Sequence, residues 1–132
     1  MNENLVTIHE IRALTDSYFK KGLFTRVNQI YFNSARVVFS LAMAFNKTID
    51  EKDTKYDIFF EDYHLFEKQI ATIFKKLRHD YKNRKIVVET VDNKNNSYIY
   101  PMDPDDFVNR SIENLQIYLE ARHIPFNKKY FK

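Results

Sequence analysis

The stretch Asp57-Ile58-Phe59-Phe60-Glu61-Asp62-Tyr63-His64-Leu65-Phe66-Glu67-Lys68-Gln69-Ile70-Ala71-Thr72-Ile73-Phe74-Lys75-Lys76-Leu77-Arg78-His79-Asp80-Tyr81 decides the fold of this chain. Phe59, Tyr63, Phe66, Ile70, Ile73, Leu77 and Tyr81 follow one another in steps of three or four. That spacing stacks side chains along one face of an α-helix. It predicts a helix over about 58–82, with Asp57 as N-cap and the apolar face turned into a core. The flanking charges do not keep the pattern that a coiled coil requires, so the face is expected to pack inside a bundle.

Working back toward the amino terminus, Val27, Ile30, Tyr31, Ser34, Val38, Leu41 and Phe45 mark the face of a helix over about 24–46. Val37, Phe39, Ala42 and Ala44 widen that face, as expected of a central helix. Thr7-Ile8-His9-Glu10 has capping-box spacing and opens a helix over about 7–21. Gly22, the only glycine of the chain, is placed to end it in the left-handed region. Residues 47–57 are polar and acidic and read as a loop.

Working forward, Lys85-Ile86-Val87-Val88-Glu89-Thr90-Val91 is β-branched, Asp92-Asn93-Lys94-Asn95-Asn96 is turn-like, and Ser97-Tyr98-Ile99-Tyr100 is again β-prone. A hairpin over 85–100 is expected, with 86–91 antiparallel to 97–100. Asp103-Pro104-Asp105-Asp106 is a helix start: Asp caps, Pro fits the first position, and two carboxylates favour the positive end. The helix over about 104–122 should bury Phe107, Val108, Ile112, Leu115, Tyr118 and Leu119. His123-Ile124-Pro125 ends it, and the tail 126–132 is expected to be mobile unless it docks.

Composition agrees with a helical reading. One glycine and three prolines in 132 residues are too few for a turn-rich all-β fold. The length predicts one domain over 1–132, able to bury roughly two thirds of its unfolded surface. Twelve Phe and nine Tyr make a bulky core and leave aromatics for an interface. The absence of cysteine excludes disulfides and thiolate metal sites and points to a reducing compartment. The amino terminus shows no basic segment followed by an apolar run, and no stretch has the length of a spanning helix. A cytoplasmic protein without membrane contact is expected. The net charge of +3 is too small to argue for nucleic acid by itself.

Charge is concentrated at the end of the deciding helix. Lys75-Lys76-Leu77-Arg78-His79-Asp80-Tyr81-Lys82-Asn83-Arg84-Lys85 holds six Lys or Arg against one acid. Such a run either neutralises phosphates or forms a solvated helix end whose cations complement the dipole. Arg78 and Tyr81 fall at the edge of the apolar face, and His79 points outward. An Arg at a core edge calls for a carboxylate or carbonyl, because an unpaired buried charge is costly. Arg78 therefore either clamps this helix to a neighbour or faces a phosphate. Lys75, Lys82, Arg84 and Lys85 are the candidate phosphate contacts. His9, His64, His79 and His123 have no metal-site spacing. The Asp103–Asp106 acids lack the glycine and distal glutamate of a calcium loop. With no phosphate loop and no nucleophile elbow, neither a metal nor a cofactor is expected.

The order of these pieces resembles the HEPN domains of bacteria and archaea, small helical modules often encoded beside a minimal nucleotidyltransferase. The resemblance is carried by Gly22, by Asn28-Gln29-Ile30-Tyr31-Phe32-Asn33 with Ala35, by Arg78-His79-Asp80-Tyr81, and by Asp103-Pro104-Asp105-Asp106-Phe107. It implies a mainly α, four-helix bundle, here with a small hairpin between the third and fourth helices. It also implies a homodimer built on the long helices. Ribonucleases of that family carry an Arg and a His several residues apart, and no Arg of this chain has a His at that distance. The resemblance therefore implies a module that binds a protein partner or a nucleotide or RNA ligand without cleaving it. The setting it implies is a toxin–antitoxin or defence system with a nucleotidyltransferase-like partner. Tyr31 and Tyr81 would stack or pack, Arg78 would meet a phosphate or a partner acid, and Asp80 would orient Arg78. Two other readings stand beside this one. One is a phage-type or mobile-element adaptor acting by protein contact through the hairpin and aromatic tail. The other is a ribonuclease with a rearranged Arg78/His79 site.

Overall fold

The aromatic face of 57–81 forms as its spacing requires, but on two helices. The computed structural model describes residues 5–21, 29–45, 49–50, 52–91 and 93–131. Within the elements, the side chains at 19–21, 29–33, 65, 89–91 and 98–100 lie outside the described set. In place of one helix from 58 to 82 there is α3, Asp57–Glu61, and α4, Tyr63–Asp80. Asp62, at φ −110° and ψ 24°, leaves helical geometry between them. Its side chain makes no capping hydrogen bond to α4, and its N–H still donates to the Ile58 carbonyl at 3.3 Å. The apolar face crosses the break intact. Phe59 stacks on Phe66 at 5.3 Å, and its ring meets Tyr63 edge-on at 5.8 Å. Asp57 is a helical residue and not the N-cap. The capping is done upstream by Asp53, whose carboxylate accepts the Lys55 N–H at 3.1 Å and opens a 3₁₀ turn over Thr54–Tyr56.

Helix α1 spans Ile8–Lys21 and α2 spans Gln29–Met43. Thr7 Oγ1 accepts the Glu10 N–H at 3.2 Å, one half of the expected capping box. The expected Gly22 cap and residues 24–28 and 46 of the second helix lie outside the described residues. Ala35, Val38, Phe39, Ala42 and Met43 of α2 are buried, and Phe39 lies 5.1 Å from Phe74 of α4.

The hairpin forms as expected: β2, Lys85–Val91, runs antiparallel to β3, Ser97–Met102, with Ile86 opposite Met102 and Val91 opposite Ser97. Ile86, Val88 and Met102 are buried, whereas Pro101, without an N–H to donate, sits on an outer strand. A third strand was not foreseen. Strand β1, Leu5–Val6, pairs parallel with β2 and gives the order β1-β2-β3. Two residues carry no periodicity that could announce a strand.

Helix α5, Pro104–Ala121, starts at Asp103 with Pro in the first turn and buries Phe107, Val108, Leu115, Tyr118 and Leu119. Asn114 ties it to α2 by donating to the Ala42 carbonyl at 3.1 Å. Its end is a Schellman turn: Ile124 N–H donates to Leu119 O and His123 N–H to Glu120 O, each at 3.0 Å. His123 takes the left-handed position at φ 58°. This turn sends the tail back over α4. The tail takes the docked alternative: Lys128–Phe131 is a 3₁₀ helix, and Phe131 is only 7% exposed. Phe131 stacks on Phe126 at 4.9 Å and lies 6.1 Å from Phe74. Burial of the Phe131 ring against Phe126 and Phe74 offsets part of the chain entropy lost in ordering the segment. The chain is thus mainly helical with a small three-stranded sheet, and none of its described helices is long and apolar enough to cross a membrane.

Candidate functional site

The basic end of α4 is divided by the fold among three neighbours. Arg78 turns to α5, where its Nη2 donates to Asn109 Oδ1 at 2.7 Å and its Nε lies 3.9 Å from Asp105. The side chain is 27% exposed. This is the clamp expected of an Arg at a core edge, and its close partner is a neutral amide oxygen. Asp80 does not orient Arg78. It pairs with Lys76 at 3.0 Å across one helical turn, and Lys76 also reaches Tyr18 of α1. The Asp80 bond and charge raise the Lys76 pKa.

Tyr81 lies on the side of α1 and β1. Burial raises its phenol pKa, Glu10 adds to the effect, and Arg84 opposes it. Arg84 holds this corner together. Its Nη2 donates to the Leu5 carbonyl at 3.0 Å and lies 3.6 Å from Glu10, and its guanidinium sits 5.3 Å over the Tyr81 ring. Lys85 pairs with Asp103 where β3 turns into α5. Arg84 and Lys85 are therefore engaged in holding elements together. Tyr31 belongs to α2 by its backbone, and its side chain lies outside the described set.

What remains open to an anion is narrower than the basic run. Lys75 and Lys82 are exposed and make no ion pair among the described residues. Lys75 lies one turn before Arg78 on the same helix side. Beside Arg78 the structure has a groove of about 340 Å³ between α4, α5 and the tail. Asn109, Ile112, Glu113, Gln116, Phe126, Lys128 and Phe131 share its lining with Arg78, so two cations face one carboxylate there. Lys128 and Phe126 come from the tail, which sequence reasoning left mobile unless docked. Exposed His79 has no carboxylate partner among the described residues. No cluster of three potential metal ligands is assembled among the described residues.

The opposite end of α4 holds polar groups that the sequence reading passed over. Tyr63 and Glu67, one turn apart, are 2% and 8% exposed. The Tyr63 hydroxyl and Glu67 Oε1 are buried without a hydrogen-bond partner. Both line a cleft of about 470 Å³ with His64, Lys68, Pro125 and Tyr130. Burial raises the Glu67 carboxyl pKa, partly offset by His64. Burial and the Glu67 charge also raise the Tyr63 phenol pKa. The available signal was Glu67 itself, directly after Phe66 in an otherwise apolar sector.

No protein-family model, curated protein or solved structure matches this chain.

Proposed function

We propose that this chain is a non-catalytic, HEPN-like helical module that binds an anionic ligand, a nucleotide or the phosphate backbone of RNA, in the groove beside Arg78. The observation that carries the reading is how Arg78 is held. Its short hydrogen bond goes to the neutral Asn109 oxygen and its carboxylate contact is long, at 3.9 Å. The guanidinium is therefore oriented without being neutralised, and its remaining donors suit a phosphate. Lys128 adds positive charge to the groove and outnumbers, with Arg78, the Glu113 carboxylate on its lining; Lys75 and Lys82 are exposed along the same basic run, and Phe126 offers a ring against which a base can stack. A toxin–antitoxin or defence role, with a nucleotidyltransferase-like partner, belongs to the same proposal.

The test is binding of mixed-sequence RNA and of nucleotides at several salt concentrations. Affinity should fall as salt rises, and Arg78→Ala should weaken binding about tenfold, as expected for a charge-assisted hydrogen bond. The RNA should emerge uncut. Cleavage abolished by Arg78→Ala or His79→Ala would replace this reading with the ribonuclease one. Binding indifferent to salt and to Arg78 would overturn both.

A protein-contact reading has one observation in its favour. Val37, on the outer side of α2, is 44% exposed, beside a shallow depression that includes Ser40 and Leu41. A second copy of the chain covering that face would make α2 part of a homodimer interface. Light scattering on the wild type and on Val37→Lys distinguishes a dimer from a 16.0 kDa monomer.

A further inference from the structure

The tail serves two clefts at once. Phe126, Lys128 and Phe131 face the Arg78 groove, while Ile124, Pro125, Asn127 and Tyr130 line the cleft over Tyr63 and Glu67. That second cleft differs in its chemistry. At its buried side a phenol and a carboxylate each hold a polar atom without a hydrogen bond. Native proteins satisfy nearly all such atoms, and an exception calls for an explanation. Glu61 and Glu67 outnumber Lys68 among the charged lining residues. An anion would meet the Glu67 carboxylate, and a purely apolar ligand would leave both polar atoms unsatisfied. A cation answers both: it neutralises the carboxylate and donates to the phenol oxygen. The ring of Tyr130 supplies an aromatic wall, the usual companion of bound ammonium and guanidinium groups. Phe60 shows the preference within the molecule, with the Arg122 guanidinium 4.0 Å over its ring.

We propose that the cleft between α4 and the tail binds a small organic cation, an ammonium or guanidinium group on an apolar stem, with Glu67 as counter-ion and the Tyr63 hydroxyl as hydrogen-bond acceptor. Its volume of about 470 Å³ falls in the range of small-ligand sites. The site shares no side chain with the Arg78 groove, so it stands or falls separately from the anion-binding reading.

The test is an NMR titration of the full chain with n-butylammonium and methylguanidinium, using n-butanol as the neutral match for the first. The cations should shift the resonances of Tyr63, His64, Glu67 and Tyr130, and butanol at equal concentration should leave them in place. Glu67→Gln keeps the shape and removes the charge, and should weaken cation binding about tenfold. Tyr63→Phe should weaken it about threefold, the effect of one neutral hydrogen bond. Thermal melts establish that the variants are folded, and the comparison of butylammonium with butanol on the wild type decides even where a variant is not. Equal shifts from butanol, no shift from either cation, or Glu67→Gln binding within about twofold of wild type would overturn the proposal.

Discussion

At the C-terminal end of α4 and in the residues that lead from it into β2, Arg78, Arg84, Lys85 and Lys76 each reach a partner, in most cases on another element: Asn109, the Leu5 carbonyl, Asp103 and Asp80. At its N-terminal end, Tyr63 and Glu67 are more deeply buried, and the Tyr63 hydroxyl and Glu67 Oε1 reach none; the Nε atoms of Arg78 and Arg84 also lack a hydrogen bond, but each of those guanidinium groups is anchored through its Nη2. The helix and the turn that follows it thus carry a dense, conspicuous charge cluster largely engaged in holding the fold together, and the start of the same helix carries an inconspicuous pair with buried polar atoms left unsatisfied. The contrast teaches that charge density along a sequence marks a site only in part: much of the run holds elements together, while Arg78 keeps a groove beside it. Partnered charges stabilise elements, whereas a desolvated group without a partner retains interaction energy for a ligand.

The sharpest way to break the comparison is to remove the scaffold that both ends share. Phe66→Ala or Ile73→Ala should cost about 2–5 kcal/mol in chemical denaturation, as buried large-to-small changes do. A loss below about half a kcal/mol would mean that the face is exposed, at odds with its burial. Phe131→Ala should cost about 3 kcal/mol and free the tail, raising hydrogen exchange over 126–131. Unchanged exchange would show that the tail is held without its aromatic anchor.

The next pair has opposite signs and tests the contrast directly. Arg84→Ala should destabilise by about 1–2 kcal/mol, because it leaves the Leu5 carbonyl and Glu10 without their partner. Faster exchange at Leu5 and Val6 would locate the loss in β1. Glu67→Gln should instead stabilise the chain at neutral pH. The Glu67 carboxyl pKa is raised in the folded state, so the unfolded chain ionises first as pH rises. The penalty therefore grows as pH climbs from the ordinary carboxylate range through the raised value, and is absent below both. Melting temperatures of wild type and Glu67→Gln should differ at pH 7 and converge near pH 3. A difference independent of pH would assign the effect to packing. The smallest change expected is at the turn that aims the tail. His123→Gly relieves a left-handed non-glycine position and should gain about half a kcal/mol, since glycine's extra unfolded-state entropy offsets part of the relief. A loss would show that the imidazole itself contributes.

The sequence by itself determined the faces of α4 and α5, the hairpin with its register limits, and the start of α5, because each rests on contacts within a few residues; on α2 and just past its end it turned Val37 and Ala44 inward, and the structure exposes both. Helical spacing placed Phe66, Ile70, Ile73 and Leu77 in the core, and β-branching with a polar turn placed 86–91 against 97–100. It also placed Arg78 at a core edge in need of a partner. Which partner it takes, Asn109 on α5 and not Asp80 next door, was decided by how α4 and α5 pack, since Asp80 is held by Lys76. Strand β1 exists only because β2 offers it an edge and Arg84 reaches its carbonyl. Glu67 was unreadable as a site for the same kind of reason. Its position on α4 was plain from spacing, but its desolvation depends on a tail that returns from the far end of α5 through a left-handed His123. Periodicity reports which face of a helix turns inward. Only the tertiary structure decides what covers the rest of it, because burial and its electrostatic consequences are set by residues far away in the chain.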